Sequence, residues 1–438
     1  MNYVNNLKKL LIEFENEKIH YCILRNYEFL SNPKLELPKD VDMTIARNDL
    51  QKAHKILAQN GFKKRIFHYT TKHLGYAKFI SKDFRTLSLG VEAGGLFWND
   101  LFYLKDTEIG LKRQKKSFFY VLSDEDYFLM FFHHSVLGKR MFKPKYELIM
   151  KELFLKKNFD KQYLQAVFKR SFGKKYTKKI MILLEKEQYQ LILKMKRELI
   201  NKFIFKNVKS IILFTRVFLK WIVFQNKHWF LRAPLISVIG MDGSGKTTTT
   251  KNIMQIFKDN DLSAKLIYTG RGSHNILPIS FFGRPYKKLE KKVESKKKNK
   301  NTLLKKVIYS ASAPIFALDL FLRYIFRVMP ARKKYSVVIT DRYAFDLLLM
   351  DNVPLTLRKI LYCLFPKPTL IIYLYNDLNV LHKRRPTHPI LDLERQKKLF
   401  DGFQKTLNFV CVKTEDKQRT SENVSEIIFN YLLDNTFS

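Results

Sequence analysis

Between residues 240 and 247 the chain reads Gly240-Met241-Asp242-Gly243-Ser244-Gly245-Lys246-Thr247, which satisfies G-x-x-x-x-G-K-[ST] at every fixed position. Glycines there let successive backbone N–H groups turn inward around phosphate oxygens, and a helix starting at the lysine adds the positive end of its dipole. In such a loop Lys246 reaches the terminal phosphates and Thr247 offers its hydroxyl to Mg²⁺. Gly240, Asp242, Gly243, Ser244, Gly245 and Thr248 complete the nucleotide-binding set. A carboxylate and a guanidinium, Asp341-Arg342, follow the apolar run SVVIT. Asp40 and Asp42 lie two apart in DVDMTI and so point to one side of a strand, as paired carboxylates sharing Mg²⁺ must.

These groups act only if rigid elements hold them. LISVIG before the loop, SVVIT at 336–340 and TLIIYLY at 369–375 are continuously apolar, as strands covered on both faces should be, and a helix follows the first. Alternating strands and helices imply a parallel sheet with ligands at its carboxyl edge. In the first half, the spacing of Val4, Leu7, Leu10, Leu11 and Phe14 predicts a helix over 3–17. A strand at 21–25 and a helix at 48–60 stopped by Gly61 follow from the pattern. From 123 to 205 the pattern is helical and Lys-rich. The reading is three parts: 1–120, a helical subdomain and linker at 121–230, and 231–438.

With 438 residues, 46% hydrophobic, the chain has enough apolar surface for sizeable cores, so wholesale disorder is excluded. Lys and Arg number 81 against 40 acids, 81 − 40 = +41, which draws phosphates, nucleic acid or an anionic membrane, or else reflects genomic base composition. The segment 287–306 carries ten Lys and two Glu with no aromatic to stack on a base, and reads as an exposed loop or helix end. Cys22, Cys363 and Cys411 are too few and too scattered for a disulfide framework, which fits a cytoplasmic protein. The N-terminal residues lack the apolar run of a signal peptide. The apolar stretch 203–230 is broken by Lys206, Lys209, Arg216, Lys220 and Lys227, short of a membrane span. It suits a helix between domains, or an amphipathic segment peripheral to the inner face of the membrane. His68 and His73 are poorly spaced for metal ligation, and His133-His134 sits among aromatics as a core position would.

Taken together, the loop with Asp242 inside it, the Asp341-Arg342-Tyr343 after a buried strand, and TLIIYLY followed by basic HKRRP resemble the thymidylate kinase family of P-loop nucleoside-monophosphate kinases, over about 234–435. The resemblance implies a three-layer P-loop NTPase fold and transfer of the ATP γ-phosphoryl to a monophosphate, dTMP first, with Mg²⁺; it leaves a homodimer open. It gives Asp242 to the acceptor 3′-hydroxyl, Asp341 to Mg²⁺ and its waters, and Arg342 to the acceptor phosphate. A lid would run from Lys383-Arg384-Arg385 through Glu394-Arg395-Gln396. Because the loop holds no arginine, Arg384 or Arg385 would supply the catalytic cation. Where the family carries an acidic-proline-glycine run, this chain has Tyr268-Thr269-Gly270-Arg271-Gly272, which opens an alternative acceptor, a sugar or surface-polysaccharide precursor. A third alternative is a non-catalytic binder of nucleic acid or anionic membrane.

YCILRNYE, PKDVDMTI and the helix ending in NGF resemble an α+β nucleotidyltransferase-like domain, of a kind fused to such kinases in bacterial polysaccharide gene clusters. That resemblance implies Mg²⁺ on Asp40 and Asp42, with Glu92 as candidate third carboxylate or Gly90 at its place. Arg25-Asn26 replaces the usual Gly-Ser, so a degenerate, ligand-binding or supporting domain stays open beside an active transferase.

Overall fold

The first helix forms because its apolar residues recur at three- and four-residue spacing. Over Asn2–Asn16, Tyr3, Leu7, Leu10, Leu11 and Phe14 are all buried against a sheet. This computed structural model describes residues 2–32, 35–65, 70–225, 232–270, 275–277, 301–350, 353–386, 390–404 and 409–435. His68, Arg271, Gly272 and residues 287–300 of the Lys tract lie outside them. The chain divides into two compact units, Met1–Lys227 with Leu433–Ser438, and His228–Leu432.

In the front unit the strands are β1 (Tyr21–Ile23), β2 (Asp40–Ile45), β3 (Lys63–Arg65), β4 (His73–Ile80), β5 (Arg85–Ala93), β6 (Gly95–Trp98), β7 (Leu101–Lys105), β8 (Gln114–Lys116) and β9 (Phe119–Val121). Seven of them form a mixed sheet in the order β3-β4-β5-β2-β1-β9-β8, and β6 and β7 pair separately. Alternation along β1 shows how the sheet is covered. Tyr21 and Ile23 join the core under the first helix, whereas Cys22 and Leu24 join a second core built with Phe128, Phe132, Phe168 and Phe172. That second core belongs to the helices between Asp124–His133 and Lys196–Ile204, so the Lys-rich helical block covers the sheet's other face rather than standing apart.

The second unit is a five-stranded, wholly parallel sheet of β10 (Leu235–Gly240), β11 (Ala264–Tyr268), β12 (Val337–Asp341), β13 (Leu370–Tyr375) and β14 (Phe409–Lys413), in the order β11-β12-β10-β13-β14. The two runs read as strands at 336–340 and 369–375 are the neighbours of central β10. Chain order reverses across β10, so a crevice opens at its carboxyl end. The edge strands β11 and β14 carry a weaker apolar pattern, and the sequence did not single them out.

Candidate functional site

The crevice is where β10 gives way to the glycine loop. Gly240 lies beside Leu374 in register, and a side chain there would meet the Leu374 carbonyl. Gly243 has φ +85°, and a Cβ would stand 2.8 Å from the Leu381 carbonyl oxygen, so only glycine fits this bend. The helix Lys246–Asp259 starts directly after Gly245 and aims its free N–H groups into the hollow. Lys246 Nζ donates to the carbonyls of Gly240 (3.0 Å) and Met241 (2.6 Å) and lies 4.0 Å from Asp242. Burial pushes its pKa down to about 8, with help from the Arg342 charge and against the attraction of Asp242 and Asp341.

Parallel pairing of β10 with β12 sets Asp341 against Val238, at the same sheet edge as the loop. Its Oδ2 accepts the Thr247 hydroxyl at 2.9 Å. Its Oδ1 is buried without a hydrogen-bond partner, as is Ser244 Oγ. A buried carboxylate oxygen left over beside a threonine hydroxyl fits a divalent cation or its water shell. The next residue, Arg342, takes the left-handed conformation at φ +67°, which an L side chain adopts at a cost. Its guanidinium thereby donates to Asp242 Oδ1 at 2.7 Å and reaches Asp346 at 3.5 Å. Burial opposes the Arg342 charge, but Asp346 and Asp242 outweigh it and hold the pKa above its ordinary value.

Behind Arg342 stand two residues that the sequence did not single out, Asp319 and Arg323. The Arg342 chain passes over Gly270, where a Cβ would collide with Arg342 Cδ and the Tyr268 hydroxyl. Gly270 is in turn held by Arg323, whose guanidinium donates to its carbonyl at 3.0 Å and to Asp319 at 2.7 Å. Asp319 also accepts the N–H groups of Ile276 and Leu277, at 2.7 and 2.8 Å. Asp319 and Arg323 are both fully buried, one turn apart on the helix Asn301–Arg323. An acid and a base four apart in the apolar second half of that helix was the available clue.

A cavity of about 400 Å³ extends from the loop, lined by Asp242–Thr249 together with Arg342, Arg384, Arg385 and the 414–417 turn. Thr247 and Thr248 are exposed at its floor. Both candidate cations from the basic segment therefore face the same cavity as Lys246. Arg384 donates to Thr414 Oγ1 and to the Glu415 carbonyl, each at 3.2 Å, on the wall made by the turn after β14. Arg385 caps the helix Leu378–Arg384 and is exposed. Arg395 bonds Asp392 on its own helix.

A second cavity, about 160 Å³, lies in the front unit among Arg25, Asp42, His73, Glu92, Trp98 and His134. The Arg25 guanidinium grips Asp42 Oδ2 through two nitrogens, at 2.9 and 2.7 Å. Asp40 lies at the surface outside the lining, where partial desolvation by its neighbours, followed by the nearby Asp42 charge, raises its pKa. Gly90 stands opposite Asp42 in the β2–β5 register, and a Cβ there would come within 2.6 Å of its carboxylate, so no third carboxylate can occupy that place. Glu92 has its Oε2 buried without a partner, and burial followed by the Asp42 charge pushes its pKa up to about 8. Among the described residues no group of three or more His, Cys, Asp or Glu is placed to hold a metal ion. These residues do not fit a two-metal centre: a guanidinium takes Asp42, Asp40 lies outside the pocket, and burial favours the protonated form of Glu92. His133 stacks on Tyr103 at 4.1 Å and bonds the Leu129 carbonyl, a satisfied core residue whose pKa burial lowers to about 3.

No family model matches the chain, and no curated protein matches it. Among solved structures, the thymidylate kinase of Candida albicans is similar, with 20% identity over 46% of this chain and 93% of its own, at a TM-score of 0.32. Likeness alone thus assigns neither a family nor an acceptor.

Proposed function

We propose that the P-loop unit transfers the γ-phosphoryl group of ATP to a nucleoside monophosphate, dTMP being the first acceptor to test. The observation carrying this reading is the convergence of Lys246, Thr247 and Arg342 on one cavity at the carboxyl edge of a parallel sheet, with Asp341 directly behind it on the Thr247 hydroxyl. The glycine loop N–H groups bind the phosphates, and Lys246 exchanges its two loop carbonyls for phosphate oxygens. Thr247 and Asp341 would hold Mg²⁺, which when bound neutralises charge on the transferring group. Arg342 grips the acceptor phosphate from the β12 end, with Asp242 positioned beside it for the acceptor hydroxyl. Arg384 and Arg385 bring positive charge to the phosphoryl group in flight from the opposite wall. Incubating the protein with ATP, Mg²⁺ and a panel of nucleoside monophosphates tests this reading. ADP formed with one acceptor supports it, and no ADP with any acceptor ends it.

A second reading keeps the transfer but takes a sugar or surface-polysaccharide precursor as acceptor. It is favoured by the crowded end of β11, where Tyr268 and Arg342 fill the room above Gly270 in place of an acidic-proline run. Turnover of such a precursor with dTMP ignored would select it. For the front unit the favoured reading is a pocket that binds a ligand without metal. Purified protein that incorporates nucleotide, and loses this with Asp40→Ala plus Asp42→Ala, would overturn it.

A further inference from the structure

We infer that the front unit docks on an anionic phospholipid surface through the helix Val208–Gln225 and a cationic cavity at its start. The helix contains three cations and no acid. Its inner face is accounted for: Ser210 and Val217 are buried, and Leu213 and Phe214 pack on the front unit's core. At 100° per residue the opposite face brings Val208, Ile212, Leu219 and Val223 into one stripe. Their exposures are 71%, 62%, 58% and 72%, where a helix seated in a protein core would hide them. Lys209, Arg216 and Lys220 follow one another along a single flank of that stripe. Beyond it, Phe218 and Trp221 stack at 5.9 Å while both stay exposed. Among the described residues no helix is long and apolar enough to cross a membrane, so an inserted stripe would lie along the surface.

Charge complementarity identifies the partner. Lys206, Lys209 and Ser210, which flank the first residue of the stripe, also line a cavity of about 960 Å³ with Arg47, Lys72 and Lys105. Asp100 and Asp106 line it as well, but against them stand six cations once Arg170 is included, and Glu108 nearby pairs with Arg170. Lys72 sits over the Phe102 ring at 3.8 Å and donates to the Asp100 carbonyl at 2.5 Å. Burial brings its pKa down to about 8, and Arg47, Lys209 and Lys206 all repel its charge, against the pull of Asp100. Cations gathered in this way favour an anion among them, and the adjoining apolar stripe distinguishes a lipid headgroup from a soluble phosphate.

Flotation of the full chain with phosphatidylcholine vesicles, with and without phosphatidylglycerol, tests the inference. Binding is expected only with the anionic lipid, weakening as salt rises. Ile212→Glu with Leu219→Glu should reduce binding more than about tenfold, since each change replaces an exposed apolar side chain that would enter the bilayer by a charged one. Lys72→Gln with Lys209→Gln should reduce it by roughly tenfold or more at low salt, at about 1 kcal/mol per cation. Both variants should keep the parent's circular dichroism, thermal midpoint and vesicle-free kinase turnover, which separates this inference from the nucleotide chemistry. It is overturned by equal binding to neutral vesicles, by no binding to either, or by unchanged binding of the Glu variant. Sedimentation showing a dimer that the Glu variant dissolves would assign the stripe to a second copy instead, and inorganic phosphate that displaces the protein from vesicles at millimolar levels would assign the cavity to a soluble ligand.

Discussion

Each unit sets an arginine against an aspartate at 2.7 Å beside the end of a strand, yet the two pairs do opposite things. Arg342 and Asp242 stand over a glycine loop, with an unpartnered Asp341 oxygen and a buried lysine at hand, and the cavity around them is cationic. Arg25 and Asp42 neutralise one another in a small pocket with aromatic walls, where burial pushes the pKa of Glu92 up and that of His134 down. The ion pair itself is therefore uninformative. What surrounds it decides whether it borders an open cationic cavity or sits in a closed, largely neutral pocket.

The widest gap between the two sites is expected from Lys246→Ala. Phosphoryl transfer should fall by about 10³-fold with the fold intact by circular dichroism, since it removes a cation that stabilises the transferring group. Activity near the parent level would break the comparison outright. Asp341→Asn should cost about 10²-fold in turnover and raise the Mg²⁺ concentration needed for half-activity; an unchanged Mg²⁺ titration would remove Asp341 from the metal shell. In the front unit Arg25→Ala should leave turnover alone and cost about 1–3 kcal/mol of stability by chemical denaturation, because Asp42 loses its partner. Adding Asp42→Asn should recover part of that loss.

The smallest effects are two pH slopes of opposite sign. Native Lys246 releases its proton near 8 while the unfolded lysine holds one to about 10.5, so ligand-free stability should rise with pH across that window. Lys246→Met should flatten the rise. Native Glu92 keeps a proton to about 8 that the unfolded chain gives up near 4.5, so stability should fall as pH climbs between them, and Glu92→Gln should remove the fall. Denaturation midpoints of parent and variant at matched pH check both signs.

The glycine loop was legible because its chemistry is local: Gly240, Gly243 and Gly245 serve backbone turns spanning eight residues, and β10 and the following helix declare themselves by their own apolar patterns. Asp341 and Arg342 could be read as a sheet-edge pair because β12 is buried on both faces and so continuously apolar. Asp319 and Arg323 were hidden, since their partners Gly270, Ile276 and Leu277 lie more than forty residues away along the chain. The Arg25–Asp42 pair was hidden too. Spacing put Asp40 and Asp42 on one face but could not say that only Asp42 borders the pocket or that an arginine would take it.

From the sequence alone came the glycine loop between a strand and a helix, the parallel character of its sheet, and the cations that border its cavity, because backbone conformation and strand burial are written in short stretches of residue types. The tertiary structure alone decided which oxygen of Asp341 is left over, where Arg384 rests, that the helical block shares the front core, and that one helix shows an apolar stripe to solvent. Those depend on strand order and on which distant groups meet, and they follow from the free energy of the whole packed unit rather than from any local pattern.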